Sequence, residues 1–478
     1  MQFDQDRRVV RSSTARRLAA PCARDVFVRV AHYRAVCWLD SSRPAPGDGR
    51  WSILVCEPRW IFSARAGAWE LRSATATLEQ GTSGALERLE ALRQAHHAAA
   101  SAAAPHLPFF GGAIGWLAYD LVRQLETLPT IAAIAGEAPP DIWFGWYDAA
   151  IVWDHALNQT WLVGADEGAE TQAAADRLRA AIETAPIAAS LCSNSEPGGS
   201  SVATSDFRRD DYERAVADIR EGIARGDFYQ LNLVQQFVCP QRESAASTYL
   251  RLRAVNPAPF SAFINTGDPA VLSSSPERFL EVSDSGFVRT CPIKGTRPRD
   301  SHPTVDAARR EELITSPKER AELLMIVDLL RNDLGRICVP GSITVPRLHA
   351  LESFATVHHL VGEVVGRMRD GTSLADILRA VFPGGSITGA PKVSAMIAIE
   401  RLERHRRGIA MGAIGYLSNH GRIDLNIAIR TIVIHHGEAR IAVGAGIVWD
   451  SEPTTEYAET LAKAAALFSA LGVRAAEE

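Results

Sequence analysis

Polar and apolar positions divide the chain into blocks of different period. From about 26 to 165 the text is strand-like: VFVRVAHYRAVCWLD (26–40), RWSILVCEP (50–58), WELRSATA (69–76), GGAIGWLAYDL (111–121), DIWFGWYDAAIVWD (141–154) and TWLVGAD (160–166). Several of these alternate with period two, the signature of a half-buried strand. Alanine-rich stretches near 95–104 and 171–190 read as helices or linkers, and LCSNSEPGGSSVATS (191–205) reads as a linker. Then the period lengthens. DFRRDDYERAVADIREGIARGD (206–227) is an amphipathic helix ending at Gly226. Strands are predicted at 228–238 and 260–283, one long helix over about 306–332, and another helix from near Pro391. A meander follows, GAIGYLS, IDLNIAIRTIVI and ARIAVGAGIV joined by the turns NHGR and HHGE, with a last helix over 454–471. Helices and strands come in blocks and not in strict βαβ alternation, so the predicted class is α+β with mainly antiparallel sheets.

Composition narrows the function classes. At 478 residues the chain has room for two to four domains or one large duplicated one. No run approaches the ~18 apolar residues of a membrane span. The net charge of −5 offers no basic footprint for nucleic acid or an anionic membrane. The seven cysteines are scattered without CxxC spacing, which suits a reducing, cytoplasmic setting and excludes a disulfide scaffold or a cysteine zinc site. The first 25 residues are arginine-rich but interrupted by Asp4, Asp6 and Asp25, and read as a flexible N-terminal segment. Of 51 basic residues only four are lysines, Lys294, Lys318, Lys392 and Lys463. Arginine cannot replace lysine where a compact ammonium or a neutral amine is required, so each surviving lysine is a candidate for chemistry.

Four constellations carry chemistry. KERAELLMIVDLLRNDLGR sets Glu322 in an apolar helix expected to be buried nearly all round, where a carboxylate needs a salt-bridge partner or a metal. Glu456, Glu459 and Lys463 fall at i, i+3 and i+7, either a surface ion pair or a functional set. GGSITGAPK offers backbone amides near Lys392 that suit a carboxylate, although its spacing fails the nucleotide phosphate loop. SSSPERF (273–279) and CPIKGT (291–296) place an acid, Glu277, and an amine, Lys294, across a hairpin: one can protonate a leaving hydroxyl, the other can attack carbon. His435–His436 lies in a turn and is given no role.

Together these segments resemble the chorismate-utilising enzymes, over nearly the whole chain. LVCEP, FFGGAIGWLAYDL and DIWFGWYD are similar to that family's N-terminal region (here 26–190). GDFYQLNLVQQF, SSSPERF, PIKGTRPR, ERAELLMIVDLLRNDLGR, FPGGSITGAPKV, GAIGYLS and GAGIVWDSEPTTEYAETLAKA follow the order of its catalytic, chorismate-binding region (here 206–472). The resemblance implies two large, mainly antiparallel sheets packed face to face with helices outside. It implies Mg²⁺ held by Glu322 and Glu459, and catalytic roles for Glu277, Lys294 and His359. Arg430 and Lys463 would bind substrate carboxylates, with Thr388, Tyr416, Gly444, Ala445 and Gly446 lining the pocket. Isochorismate synthases have a lysine where this chain has Gln230, and anthranilate synthases typically read PIAGT where this chain reads PIKGT. PIKGT resembles the aminodeoxychorismate synthase component I branch, which aminates chorismate on the route to 4-aminobenzoate and folate. No cysteine stands in a G-x-C-x-G glutaminase motif, so ammonia is expected from a separate glutamine amidotransferase subunit. The family's amino-acid effector pocket is matched only in part, by LDSS (39–42), GRWS (49–52) and NPAPFSAF (256–263), which places Ser41, Arg50, Trp51, Pro259, Phe260 and Ser261 there.

Overall fold

Three of the most apolar segments become strands buried at every position: Gly112–Leu117, Ile142–Tyr147 and Ala149–Asp154. Strands covered on both faces read as continuous apolar runs. They belong to a computed structural model that describes residues 12–19, 22–42, 48–132, 138–184, 201–353 and 357–476. Among the described residues the strands form two large sheets. The first runs, in spatial order, Thr14–Arg17, Gln159–Gly164, Ala149–Asp154, Trp51–Val55, Val36–Asp40, Phe260–Asn265, Ala270–Ser275, Thr431–His435, Glu438–Ile447, Gln230–Pro240, Ser201–Ser205 and Val473–Ala475, with Gly389–Ala390 paired beside Gln230–Pro240. The second runs Ile293–Pro298, Val357–Arg367, Phe287–Cys291, Arg278–Val282, Ile423–Ile427, Ala413–Ser418, Gly112–Leu117, Ile142–Tyr147, Trp60–Arg65, Ala68–Arg72 and Thr77–Gly81. Every pairing between these strands is antiparallel except Ser201–Ser205 with Val473–Ala475.

Side chains of both sheets meet in one core that includes Ile53, Val152, Ile264, Ile114, Trp116, Trp143 and Ile414. Helices Ala23–Val30, Ala169–Thr184, Ala245–Val255 and Pro453–Leu471 cover the outer face of the first sheet. Ala85–Ala95, Pro317–Gly335 and Leu374–Val381 cover the second. The fold is thus α+β, two sheets face to face with helices outside. The 26–190 and 206–472 regions each supply neighbouring strands to both sheets, while the edge strands of the first sheet, Thr14–Arg17 and Val473–Ala475, lie outside both. Residues 191–200 of the expected linker lie outside the described residues, and its last five form Ser201–Ser205.

Local expectations differ from this structure in three places. Residues 1–11 and 20–21 lie outside the described residues, but the expected flexible start is not uniform: Thr14–Arg17 pairs with Gln159–Gly164. The 26–40 stretch begins as helix Ala23–Val30, because Ala23, Val26, Phe27 and Val30 are buried at i, i+3, i+4 and i+7. The long helix is broken into Pro303–Thr315 and Pro317–Gly335, since Pro317 lacks the amide needed to continue and Ser316 caps the second helix through Glu319 N. That second helix is not buried all round. Leu323, Ile326, Val327 and Leu330 face the core, while Leu324 is 50% exposed.

Two segments that read as single strands cross between the sheets, and this crossing builds the site. Ala270–Ser275 belongs to the first sheet and Arg278–Val282 to the second, with Pro276 and Glu277 between them. Ile423–Ile427 lies in the second and Thr431–His435 in the first, with Arg430 at φ 50° in the link. The crossings are tied together: Ile427 N donates to Glu277 O (3.0 Å), Ser275 Oγ to Ile427 O (2.6 Å) and Ser274 N to Arg430 O (3.1 Å).

Candidate active site

Glu277 and Arg430 therefore meet between the sheets, on backbone that belongs to neither ladder. Glu277 is 5% exposed. Burial pushes its carboxyl up to about 7, against the nearby Ser386 hydroxyl, Lys294, the Ile293 N–H and Arg430. The Ser386 Oγ is itself buried without a hydrogen-bond partner of full geometry. Burial likewise pushes Arg430 below its ordinary range, with Glu277 the opposing charge. A carboxyl poised near neutrality in a dry site is suited to donating a proton.

Lys294 comes from Ile293–Pro298, where the register with Val357–Arg367 slips between Lys294 and Thr296. Gly295 allows the slip at φ +72°, and a Cβ there would stand 2.7 Å from Leu313 Cδ1. Such a bulge re-aims the neighbouring side chain. The Lys294 Nζ lies 4.0 Å from Glu322 Oε2. On the other side it reaches Gly446: a Cβ at that position would sit 3.3 Å from Nζ and 3.0 Å from Gln230 Nε2. Gln230 is fully buried and both of its amide atoms lack partners. His359 faces Thr296, with Nδ1 2.9 Å from Thr296 Oγ1. Burial first, then Arg430, pushes this imidazole down to about 4, so it is neutral at physiological pH.

A group of carboxylates gathers beside Lys294. Burial raises Glu322, opposed by Lys294 and Lys318 and reinforced by Glu319 and Glu456. Burial also raises Glu456, opposed by the Ser451 hydroxyl and reinforced by Glu459. At Glu459 burial acts upward too, but Lys463, Lys294 and Lys318 outweigh it and hold the carboxyl below its usual range. Lys463 Nζ bonds Glu459 Oε1 (2.7 Å) and Gly444 O (2.8 Å). The early turns of Pro317–Gly335 and Pro453–Leu471 thus present acids to one another. Carboxylates that act on one another's charge suit a hard cation such as Mg²⁺, although among the described residues they do not bring three ligand atoms within 4.8 Å of one another.

Other expected site residues lie elsewhere or are already engaged. Lys392 is committed to Asp333 Oδ2 (2.7 Å) and Val381 O (3.0 Å), so it pins two helices and does not serve a ligand carboxylate. Thr388 is fully buried and donates to Gly384 O (3.0 Å). Tyr416 lines a cavity of about 170 Å³, where period two along Ala413–Ser418 aligns it with Ile414 in the core between the sheets. Ser41, Arg50, Trp51, Pro259, Phe260 and Ser261 line that same cavity. Its polar wall is partly self-satisfied: Arg50 holds Asp154 (2.9 and 2.7 Å), and Arg278 pairs with Asp48 and with Asp424 (3.0 and 3.1 Å). Sequence reasoning missed Ser386 and Glu319, and assigned no specific role to Lys318 or Glu456. Lys318 stands at i−4 from Glu322 and Glu456 at i−3 from Glu459, so helical spacing carried a signal for both.

Comparison with known proteins agrees with this geometry. A chorismate binding enzyme family model matches residues 45–469. The chain is 42% identical to aminodeoxychorismate synthase component 1 of Klebsiella aerogenes over 427 residues, 89% of this chain and 91% of that protein. It is 39% identical to an anthranilate synthase component 1 of Haloarcula marismortui over 381 residues, 76% of each. The crystal structure of anthranilate synthase component I from Streptococcus pneumoniae TIGR4 superposes with a TM-score of 0.73 at 31% identity, covering 90% of this chain and 93% of that one. The matched region takes in all of the second sheet, most of the first, both crossings and every side chain gathered around Lys294, and the chain belongs to the chorismate binding enzyme family.

Proposed function

We propose that this protein is an aminodeoxychorismate synthase component I, converting chorismate and ammonia to 4-amino-4-deoxychorismate and water. The observation that carries this reading is the placement of Lys294: one of four lysines in the chain, it lies between the Glu277 acid and the Glu322 carboxylate, in space left by Gly446. In this reading the Lys294 nitrogen forms a bond to C2 of the ring and releases a proton. The ring double bonds shift toward C4, and the C4 hydroxyl leaves as water with the proton of Glu277. Ammonia then bonds to C4, the double bonds shift back and the C2–N bond breaks; the departing lysine nitrogen recovers a proton from the new C4 ammonium, and the proton released in the first step restores Glu277. Arg430 holds a substrate carboxylate beside Glu277. His359, being neutral, can accept a proton or a hydrogen bond beside the substrate. Glu322 and Glu459, with Glu456 adjacent, would hold Mg²⁺, which when bound supplies a positive anchor for the substrate's ring carboxylate. Ammonia is supplied by a separate glutamine amidotransferase subunit in the cytoplasm, so ammonium salts alone sustain the isolated chain.

The second reading is anthranilate synthase component I, favoured by the 39% identity to the Haloarcula protein. The two part at pyruvate, which anthranilate formation releases and aminodeoxychorismate formation does not. Chorismate, Mg²⁺ and ammonium are incubated with the wild type and with Lys294→Ala, and products are followed by mass. The expected result is aminodeoxychorismate without pyruvate from the wild type and a loss of ~10²-fold or more in the variant. Pyruvate with anthranilate from the wild type, or an unchanged rate and product from Lys294→Ala, would overturn the reading.

A further inference from the structure

The HHGE turn, without a role in the sequence, acquires a partner in the fold. His435 ends Thr431–His435, and His436 (φ 51°) and Gly437 (φ 76°) turn the chain into Glu438–Ile447. The adjacent strand Ala270–Ser275 pairs Ala270 with Ile434, so the turn carrying Asp268 stands beside the histidines. Asp268 Oδ1 lies 2.5 Å from His435 Nδ1, and Asp268 Oδ2 lies 2.8 Å from His436 Nδ1. The imidazoles are stacked with centroids 3.9 Å apart and planes 28° apart. One ligand atom from each of the three residues lies within 4.8 Å of the others, and this is the one such group of three among the described residues.

An ordinary ion pair needs one histidine per carboxylate. Here two rings turn the same nitrogen onto one carboxylate, and two stacked imidazolium ions would repel. His435 is largely buried, and its Nε2 has no hydrogen-bond partner. That residue also lines a cavity of about 380 Å³, roomy enough for water to take up the Nε2 proton of a ring ligating through Nδ1. Two nitrogens and one carboxylate oxygen, with one side open, match a tetrahedral ion completed by water at Zn–N distances of ~2.0–2.1 Å. Mg²⁺ prefers oxygen ligands and is a poor match for this set.

We infer that Asp268, His435 and His436 form a binding site for a divalent transition-metal ion of the Zn²⁺ class, which clips two neighbouring turns at one end of the first sheet. The site is independent of the carboxylates around Lys294. His435 pairs with Glu438, six residues along the strand from Gly444, whose carbonyl takes the ammonium of Lys463 that pairs with Glu459; that is about 20 Å at ~3.3 Å per residue, too far for a shared ion.

The test is equilibrium dialysis of Zn²⁺ against the full chain with Mg²⁺ in excess, using the wild type, His436→Ala, Asp268→Asn and Glu459→Gln. One Zn²⁺ per chain is expected in the wild type and in Glu459→Gln. Binding should be at least ~10-fold weaker in the other two, since even second-sphere losses cost that much. Binding equal in all four, lost in Glu459→Gln, or absent from the wild type overturns the inference. The wild type loaded with Co²⁺ gives a readout that does not depend on a variant folding. Intense visible absorption marks a four-coordinate site with nitrogen ligands and supports the inference; only the weak bands of six-coordinate oxygen ligation would overturn it.

Discussion

Replacing Glu277 by glutamine should make the protein more stable at neutral and alkaline pH while removing the proposed proton donor. In the folded chain burial moves this carboxyl from 4.5 to about 7. The unfolded chain loses the same proton near 4.5. Between those values the native state holds a proton that the unfolded state has released, so stability is full below pH 4.5 and falls as pH rises through 7. A displacement from 4.5 to about 7, at 1.36 kcal/mol per pH unit, amounts to about 3 kcal/mol lost by pH 8. Glutamine has nearly the shape of the protonated acid and carries no such loss. With an unfolding entropy of ~2.1 cal/mol/K per residue, the 478-residue chain has ~1 kcal/mol/K in total, so the difference corresponds to a melting point about 3 °C higher. Thermal scans at matched rates, from pH 4.5 to 8, should therefore show wild type and Glu277→Gln nearly coinciding at the acid end, separating progressively between pH 4.5 and 7, and keeping a constant gap above pH 7. Activity in the variant should fall by ~10²–10⁴-fold, the usual contribution of a general acid. Parallel melting curves across the whole range would refute the reasoning, because they would mean that the ionised carboxylate costs nothing where it sits.

Glu322→Gln and Glu459→Gln should each abolish Mg²⁺-dependent turnover with little change in melting temperature; activity within twofold of wild type at saturating Mg²⁺ would reduce both to salt-bridge residues. Arg407, with its side chain 1% exposed, bonds Glu403 (2.7 Å), Ile387 O (2.7 Å) and Asn232 O (2.7 Å), and Arg407→Ala should strand the Glu403 charge at a cost of ~3–5 kcal/mol. Thermal unfolding checks this, and a melting point within 1 °C of wild type would contradict it.

The sequence alone determined the class and most of the strands, because burial on one or both faces imposes periods that can be read directly. It also singled out Lys294, since a chain with 47 arginines and four lysines advertises each exception. It marked Gly226 as a helix stop, and the residue does take the left-handed conformation at φ 82°. What periodicity could not show is where a run changes sheets. IDLNIAIRTIVI looks like one strand, yet its halves belong to different sheets, and the link between them sets Arg430 against Glu277. The cavity that Tyr416 lines was hidden for a related reason: alternation fixes that neighbours point to opposite faces, but only the packed sheets decide which face looks into which cavity. Lys392 could not be separated from the other lysines until Asp333, far away in sequence, was seen beside it. Asp268 and His435 are 167 residues apart, and a pairing of two hairpin turns at that separation is fixed by strand order alone. Local spacing determines which side chains share a face; the assembly of faces, set by the burial of two whole sheets against each other, determines which residues meet.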